Sequence, residues 1–267
     1  MAVPIALEGV EETLLIPLWA RAAEAERPDA LVRDEQAIAM RDRIAYDFSK
    51  FGQDAGTLAG VAVRTAVLDD AARAFLAAHP GAVVLNLAAG LDTRFFRVGA
   101  PASAWYEIDL PNVVALRRQL IDETPTHRVI TGSVLEAATF DAIQVPPGVP
   151  VLVIVEGLLM YLSHAEIRRL LDLIATRFPG AELLLEVFGR LATGNTWYFR
   201  PVAKTQARFQ GGIDDPRDLE RLHPAAKVIH TWYMLDQHRA RWGLIGWARW
   251  LPIFRDQYKI VRVKIWS

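Results

Sequence analysis

The spacing of hydrophobic positions changes near residue 80. Before that point, LLIPLWARAAEAE, AIAMRDRIAYDF and GTLAGVAVRTAVLDDAARAFLAAHP carry apolar residues three and four apart. That spacing predicts helices, each burying one face. From residue 82 onward, short apolar runs alternate with amphipathic stretches. AVVLNLA, SAWYEIDL, HRVITG, VPVLVIVEG and PGAELLLEVF read as strands, while NVVALRRQLIDE and HAEIRRLLDLIATRF read as helices between them. Such alternation requires a parallel sheet covered by helices on both faces. The strands are nearly continuous in Val, Ile and Leu, as double coverage demands.

The rhythm breaks at residues 189–215, where GRLATGNTWYFRPVAKTQARFQGGIDD mixes polar and aromatic residues. This reads as an insertion containing a short helix. Beyond it, DPRDLERL predicts a capped helix, AKVIHTWYM a strand, DQHRARWGLIGWARW a helix, and YKIVRVKIW a closing strand. The expected fold is α/β: a doubly wound, mostly parallel seven-stranded sheet whose last two strands form a hairpin-like pair. A single domain over 1–267 is expected, with a helical cap at 1–80, a core at 81–188, an insertion at 189–215 and the end of the sheet at 216–267.

Composition narrows the partners. The chain is 52% hydrophobic with 8 Trp, 11 Phe and 6 Tyr, enough for a large core. A formal net charge of −1 offers no footprint for nucleic acid. The absence of cysteine removes disulfides and thiolate metal sites, and no metal is expected. The longest apolar stretch, VPVLVIVEGLLMYL, contains Glu156 and is too short to span a bilayer. MAVPIALEGVEE lacks the basic n-region of a signal peptide. These features point to a soluble, cytoplasmic protein with no membrane partner.

Candidate chemistry starts at VVLNLAAGLDTR, residues 83–94, where a buried strand gives way to small residues. In open α/β sheets, ligands bind beyond the carboxyl ends of strands, where strand order reverses. Ala88, Ala89 and Gly90 would let a ligand approach the backbone, and Gly90 permits a positive φ. An ordinary tight turn explains the same residues equally well. No G-x-G, G-x-x-x-x-G-K-[ST], G-x-S-x-G or H-E-x-x-H occurs, which disfavours the common dinucleotide, P-loop, hydrolase and zincin readings. The second strand ends in Glu107-Ile108-Asp109, with both acids on one face. An acid there binds ribose hydroxyls. Asp109 is favoured because it lies nearer the strand end, although a helix N-cap would use the same residue. Glu156 closes the fourth strand and must meet a cation, a donor or water.

The stretches NLAAGLDTRFFR, YEIDLP and VEGLLMYL, with WARAAEAERPDAL and GVAVRTAVLDD, resemble the leucine carboxyl methyltransferase family. That family is a branch of the class I S-adenosylmethionine-dependent methyltransferases. The resemblance covers most of residues 14–190. The tail ARFQGGIDDPRDLERLHP is similar to bacterial polyketide O-methyltransferases of the tetracenomycin type. The resemblance implies a class I methyltransferase-like fold, S-adenosyl-L-methionine as cofactor, and O-methylation of a small molecule. By position it implies that Arg64 holds the methionine carboxylate and that Ala88, Ala89 and Gly90 form the turn against the cofactor. It gives Asp109, with Leu110 beside it, the ribose. It puts Ser133 and Val134 beside the adenine, Glu156 near the methionine end, and Arg21 close to the cofactor. Two positions depart from the family pattern: Ala88 replaces the first residue of Gly-Ala-Gly, and Ser133 replaces an Asp.

The acceptor pocket is expected from the N-terminal cap and the insertion. Tyr161, Trp197, Tyr198, Phe199 and Arg200 are its candidates, with Tyr161 and Arg200 as positioning groups. No catalytic residue is singled out. The family includes carboxyl methylation, so a carboxylate of a polyketide-like or aromatic acid is the favoured acceptor and a phenolic hydroxyl the alternative. Two other classes stay open: a nicotinamide-dependent oxidoreductase, and a catalytically idle family member that binds cofactor or a partner. Five of the eight Trp residues follow residue 230 and suit either the core or a homodimer interface.

Overall fold

The computed structural model describes residues 3–5, 11–52, 54–99, 102–194, 202 and 207–266. The five apolar runs form β1 (Val83–Leu87), β2 (Ala104–Asp109), β3 (His127–Thr131), β4 (Val151–Val155) and β5 (Glu182–Phe188). The chain ends in β6 (Ala226–Tyr233) and β7 (Tyr258–Ile265). These seven strands lie in the order β3-β2-β1-β4-β5-β7-β6. β1 to β5 pair in parallel, and β7 runs antiparallel to both β5 and β6. Every residue of β1, β4 and β5 is buried, as their continuous Val and Leu content requires.

Alternation along the strands builds two cores. Val83, Leu85 and Leu87 face Ile167, Leu170, Leu171 and Ile174 of α6 (His164–Arg177), counting helices in chain order. Val84, Leu152, Ile154 and Leu184 face Val63, Val67, Leu68 and Phe75 of α3 (Ala55–Ala78). A third cluster joins α1 (Leu15–Ala25) and α2 (Glu35–Arg43) to Leu91 and to Leu116 and Leu120 of α5 (Pro111–Leu120). Among the described residues the other α-helices are short: α4 (Arg94–Val98), α7 (Arg190–Thr193), α8 (Asp218–Leu222) and α9 (Pro252–Arg255). Among the described residues, no helix is long and apolar enough to cross a membrane.

Three segments differ from their sequence pattern. AIAMRDRIAYDF stops being helical at Arg43, because Ile44 turns extended and bridges Val3. The Val3 N–H donates to the Arg43 carbonyl (2.7 Å), and the Ala45 N–H donates to the Val3 carbonyl (2.8 Å). DPRDLERL is helical but carries no side-chain cap; Asp215 accepts from the Arg217 N–H one turn ahead of it (2.9 Å). DQHRARWGLIGWARW forms 3₁₀ turns from Arg239 to Trp250, broken at Gly243, whose φ of 50° and ψ of −131° suit only glycine.

Lys259 is buried in β7, between two neighbouring strands. Its ammonium donates to the carbonyls of Ile213 (2.7 Å), Asp214 (2.9 Å) and Asp256 (2.7 Å). Burial pushes its pKa down to about 8. The side chain thereby ties the 213–214 segment to the sheet. Lys259→Met keeps the apolar stem and leaves these carbonyls without a donor. Urea denaturation should show a loss of about 2–4 kcal/mol.

Candidate cofactor and acceptor site

A cavity of about 820 Å³ opens beyond the carboxyl ends of β1, β2, β3 and β4. β1 lies between β2 and β4, so the chain reverses its direction across the sheet at this point. The turn after β1 is clamped from two sides. Asp109 accepts the Gly90 N–H (2.6 Å) and the Leu110 N–H (2.7 Å). Arg117 donates to the carbonyls of Gly90 (2.8 Å) and Asp92 (2.7 Å). Burial pushes the Asp109 carboxyl up, against those hydrogen bonds. Gly90 has a φ of 53°, and Ala88, a residue with a Cβ, has a φ of 51°.

Glu107 is fully buried, pairs with Arg117, and lies 2.9 Å from His127 Nε2. It does not line the cavity, whereas Asp109 does.

Beneath the turn runs a buried chain of ion pairs. Arg94 reaches Asp69 of α3 (2.7 Å), Asp92 of the turn (2.5 Å) and Glu156 after β4 (2.6 Å). Arg97 reaches Asp34 (2.8 Å), Asp69 (2.7 Å) and Asp92 (3.0 Å). Arg21 joins from α1, pairing with Asp34 (3.0 Å) and donating to the Leu91 carbonyl (2.7 Å). Arg64 joins from α3, pairing with Glu156 (2.7 Å) and Glu186 (2.7 Å). Burial alone would raise the Glu156 pKa, but Arg64 and Arg94 hold it below the usual carboxylate range. Asp92 is likewise raised by burial and lowered further by Arg94 and Arg97.

The far end of the cavity is aromatic. Tyr258 stacks on Phe188 with centroids 4.6 Å apart, and Phe188 on Phe209 at 6.4 Å. Tyr161 leans on Phe209 at 5.3 Å. Phe209 is placed by the glycine pair that follows it. A Cβ on Gly211 would stand 2.4 Å from the Leu162 carbonyl oxygen, so only glycine lets this strand of chain dock. The Gln210 N–H then donates to Met160 (2.8 Å). Trp242, Ile245, Ala248 and Phe254 supply another wall.

The cavity brings together Arg21, Arg64, Ala88, Ala89, Gly90, Asp109, Leu110, Ser133, Val134, Glu156 and Tyr161. Trp197, Tyr198, Phe199 and Arg200 lie outside the described residues. His164 is exposed in the first turn of α6, with Nε2 3.2 Å from the Gly212 carbonyl.

The leucine carboxyl methyltransferase model matches residues 15–175. The chain belongs to this family. The tetracenomycin polyketide synthesis O-methyltransferase TcmP of Streptomyces glaucescens is 36% identical over 237 residues, spanning 88% of this chain and 87% of that one. The S-adenosyl-L-methionine-dependent methyltransferase dpfgK of Gibberella zeae is 33% identical over 264 residues, spanning 91% and 88%. A solved DUF574 family protein from Streptomyces avermitilis superposes with a TM-score of 0.60 at 15% identity, covering 94% of this chain and 97% of that chain. A SAM-dependent methyltransferase from Anabaena variabilis gives 0.51 at 12% identity, covering 76% and 85%. At such identities the structural likeness concerns the fold alone.

Besides the Phe188, Phe209 and Tyr258 stack, sequence reading of this leucine carboxyl methyltransferase family member missed two further parts of the site. One is the Asp34–Asp69–Arg94–Arg97 cluster, whose signal was the charge embedded in LDTRFFR. The other is the 242–254 wall. Its signal was the three-residue spacing of Trp242, Ile245 and Ala248, the repeat of a 3₁₀ turn.

Ala88 keeps a φ of 51° although it carries a Cβ. A left-handed conformation costs an L-residue roughly 1–2 kcal/mol, partly offset by the greater flexibility of unfolded glycine. Ala88→Gly should therefore raise stability by roughly 0.5–1 kcal/mol in chemical denaturation.

Proposed function

We propose that this S-adenosylmethionine-dependent O-methyltransferase acts in the cytoplasm on the carboxylate of a planar, apolar acid of the aromatic or polyketide-like kind. Methyltransferase activity and its cofactor follow from the family and from relatives named for that chemistry.

The residues present fit the cofactor. Arg64 is buried, and its Nε has no partner among the described residues. A Cβ on Gly90 would stand 3.3 Å from Leu14 Cβ, so the turn keeps its surface bare on that side. Each Asp109 oxygen accepts one N–H in the protein, leaving lone pairs for two hydroxyls. Asp109 would hold the ribose, and Leu110 and Val134 would flank the adenine. Ser133 would sit at the adenine edge, although its hydroxyl already accepts the Leu135 N–H (3.2 Å). Arg64 would hold the carboxylate, with Glu156 and Arg21 at the same end. When bound, the group supplies a methyl on a sulfonium, which an oxygen nucleophile displaces in line.

The chain's own task is orientation in a dry cleft, a contribution worth up to roughly 7–11 kcal/mol of barrier. Tyr161, Phe188, Phe209 and Tyr258 offer flat apolar surfaces for a planar acceptor. Trp197, Tyr198 and Arg200 belong to the same acceptor-side proposal.

One observation carries the choice of a carboxylate. Four titratable groups between the turn and the aromatic end, two acids and two phenols, are set against accepting a proton. Glu156 and Asp92 are held ionised by arginines. Burial pushes the hydroxyls of Tyr161 and Tyr258 up, so they stay protonated at neutral pH. An acceptor that arrives already ionised needs no base, and a carboxylate does so at pH 7.

Two measurements test this reading. Calorimetric titration should show binding of S-adenosylmethionine by the folded protein, and Asp109→Asn should weaken it by about 1.5–3 kcal/mol. With an aromatic acid at saturating cofactor, turnover should be nearly flat from about pH 6 to 9, and His164→Ala should leave it unchanged. A rise of roughly tenfold per pH unit would instead assign the reaction to a phenolic hydroxyl.

A further inference from the structure

Several polar groups at the aromatic end of the cavity are already engaged. The Tyr258 hydroxyl donates to the Gly60 carbonyl (3.2 Å). The Trp242 indole N–H is shared between the carbonyls of Met234 (3.0 Å) and Gln237 (3.1 Å). Tyr161 shares its hydroxyl with Thr13. Gln257 differs from these. It follows α9, lines the cavity and is 9% exposed. Its Oε1 accepts the Ala192 N–H of α7 (3.1 Å), while its Nε2 has no hydrogen-bond partner among the described residues.

The carboxamide has one orientation. Its oxygen can accept a backbone N–H and its nitrogen cannot, so the NH₂ points away from Ala192. Its place is fixed as well. A Cβ on Gly189 would stand 2.4 Å from Gln257 Oε1 and 2.8 Å from its Cδ, so glycine leaves the room that the group occupies. The Gln257 N–H donates to Phe254 (3.2 Å), and its carbonyl accepts the Gly189 N–H (2.9 Å). A donor held this firmly among aromatic rings is costly unless the molecule that fills the cavity accepts from it. Gln257 leads directly into β7, two strands from β4 and roughly 10 Å across the sheet. It therefore stands apart from Glu156 at the end of β4.

We infer that Gln257 reads the acceptor: its NH₂ donates to a ring carbonyl or phenolic oxygen that the planar acid carries away from its reacting carboxylate. The inference rests on the acceptor reading above and names the feature of the acceptor's skeleton that is recognised. An oxygen at this place completes the hydrogen bonds of the carboxamide. A bare C–H edge would seal the donor from water with no partner. Sites built to hydrogen-bond a substrate reject an analogue lacking that group far more strongly than apolar pockets sort by size. A preference on the order of 10- to 100-fold for oxygenated rings follows. Gln257 is thus a specificity-determining residue, and the methyl transfer itself makes no use of it.

A matched pair of acids tests this. Anthraquinone-2-carboxylate carries ring ketones, and anthracene-2-carboxylate is the same skeleton without them. Affinity is read by calorimetry on the full chain saturated with S-adenosylhomocysteine, and turnover as methyl ester formed from S-adenosylmethionine. The wild type should bind the ketone acid at least about tenfold more tightly. Gln257→Glu keeps an oxygen for the Ala192 N–H and removes the donor; Gln257→Met removes both and keeps the length. In each variant that circular dichroism shows to be folded, the preference should fall to about twofold or less. The change should appear as a higher KM for the ketone acid rather than a lower kcat. A residue that merely held α7 in place would leave the preference intact in Gln257→Glu. Equal affinities in the wild type, or a preference that survives the substitutions, would overturn the inference; ester formation on both acids would then leave the acceptor reading standing. A ketone preference without ester formation would support the inference and overturn the carboxylate as the group methylated. Failure of both acids to bind the wild type would overturn the acceptor reading, and the inference with it.

Discussion

Arg94 holds the site together. Its guanidinium meets Asp69 from α3, Asp92 from the turn and Glu156 from the end of β4, each within 2.7 Å. Taking so many charges out of water is expensive, and the cost is recovered only where geometry and hydrogen bonding are good. A misplaced α3 or β4 would strand a buried charge. The network therefore works less as a source of net stability than as a constraint on where three elements stand. Through Arg97, Asp34 and Arg21 the constraint extends to α1, so the N-terminal helices are registered against the same turn.

The turn inherits its shape from that constraint and from β2. Asp109 and Arg117 hold it through the Gly90 N–H and carbonyl, and two positive-φ positions, Ala88 and Gly90 on either side of Ala89, shape it beside the cavity. The strain at Ala88 lies at the ligand-facing surface, which is where such conformations tend to concentrate. On the other side of the cavity the logic changes. Aromatic rings stack there, close to the edge shared with Arg64.

Much of this was legible in the chain. Continuous runs such as VLVIV leave few alternatives to buried parallel strands, and alternation of the closing strand marked the antiparallel end of the sheet. The small residues at 88–90 and the acids at 109 and 156 marked strand ends through chemistry that a local stretch reveals. Pairings over long separations were not legible. Arg64 and Glu186 lie 122 residues apart, and nothing near either names its partner. Propensity also misled where tertiary pairing won. Ile44 abandons a helical pattern because Val3 offers it a backbone partner and a buried place. At 239–250 the helical reading fails at Gly243, whose backbone conformation no other residue would tolerate.

The two halves of the cavity differ in what holds them, and this bears on how such an enzyme changes over evolutionary time. Around the turn, nearly every polar side chain has two or more partners, so a single substitution disturbs several neighbours at once. Around Phe209, Ile245, Ala248 and Phe254, contacts are apolar and adjustable, and volume is exchanged without orphaning a charge. Gly211 is the exception: its missing side chain is filled by the Leu162 carbonyl, and the backbone path it permits is what presents Phe209 to the cavity. Diversification of the acceptor should thus run through the rings and aliphatic groups that this path displays, while the path itself stays fixed.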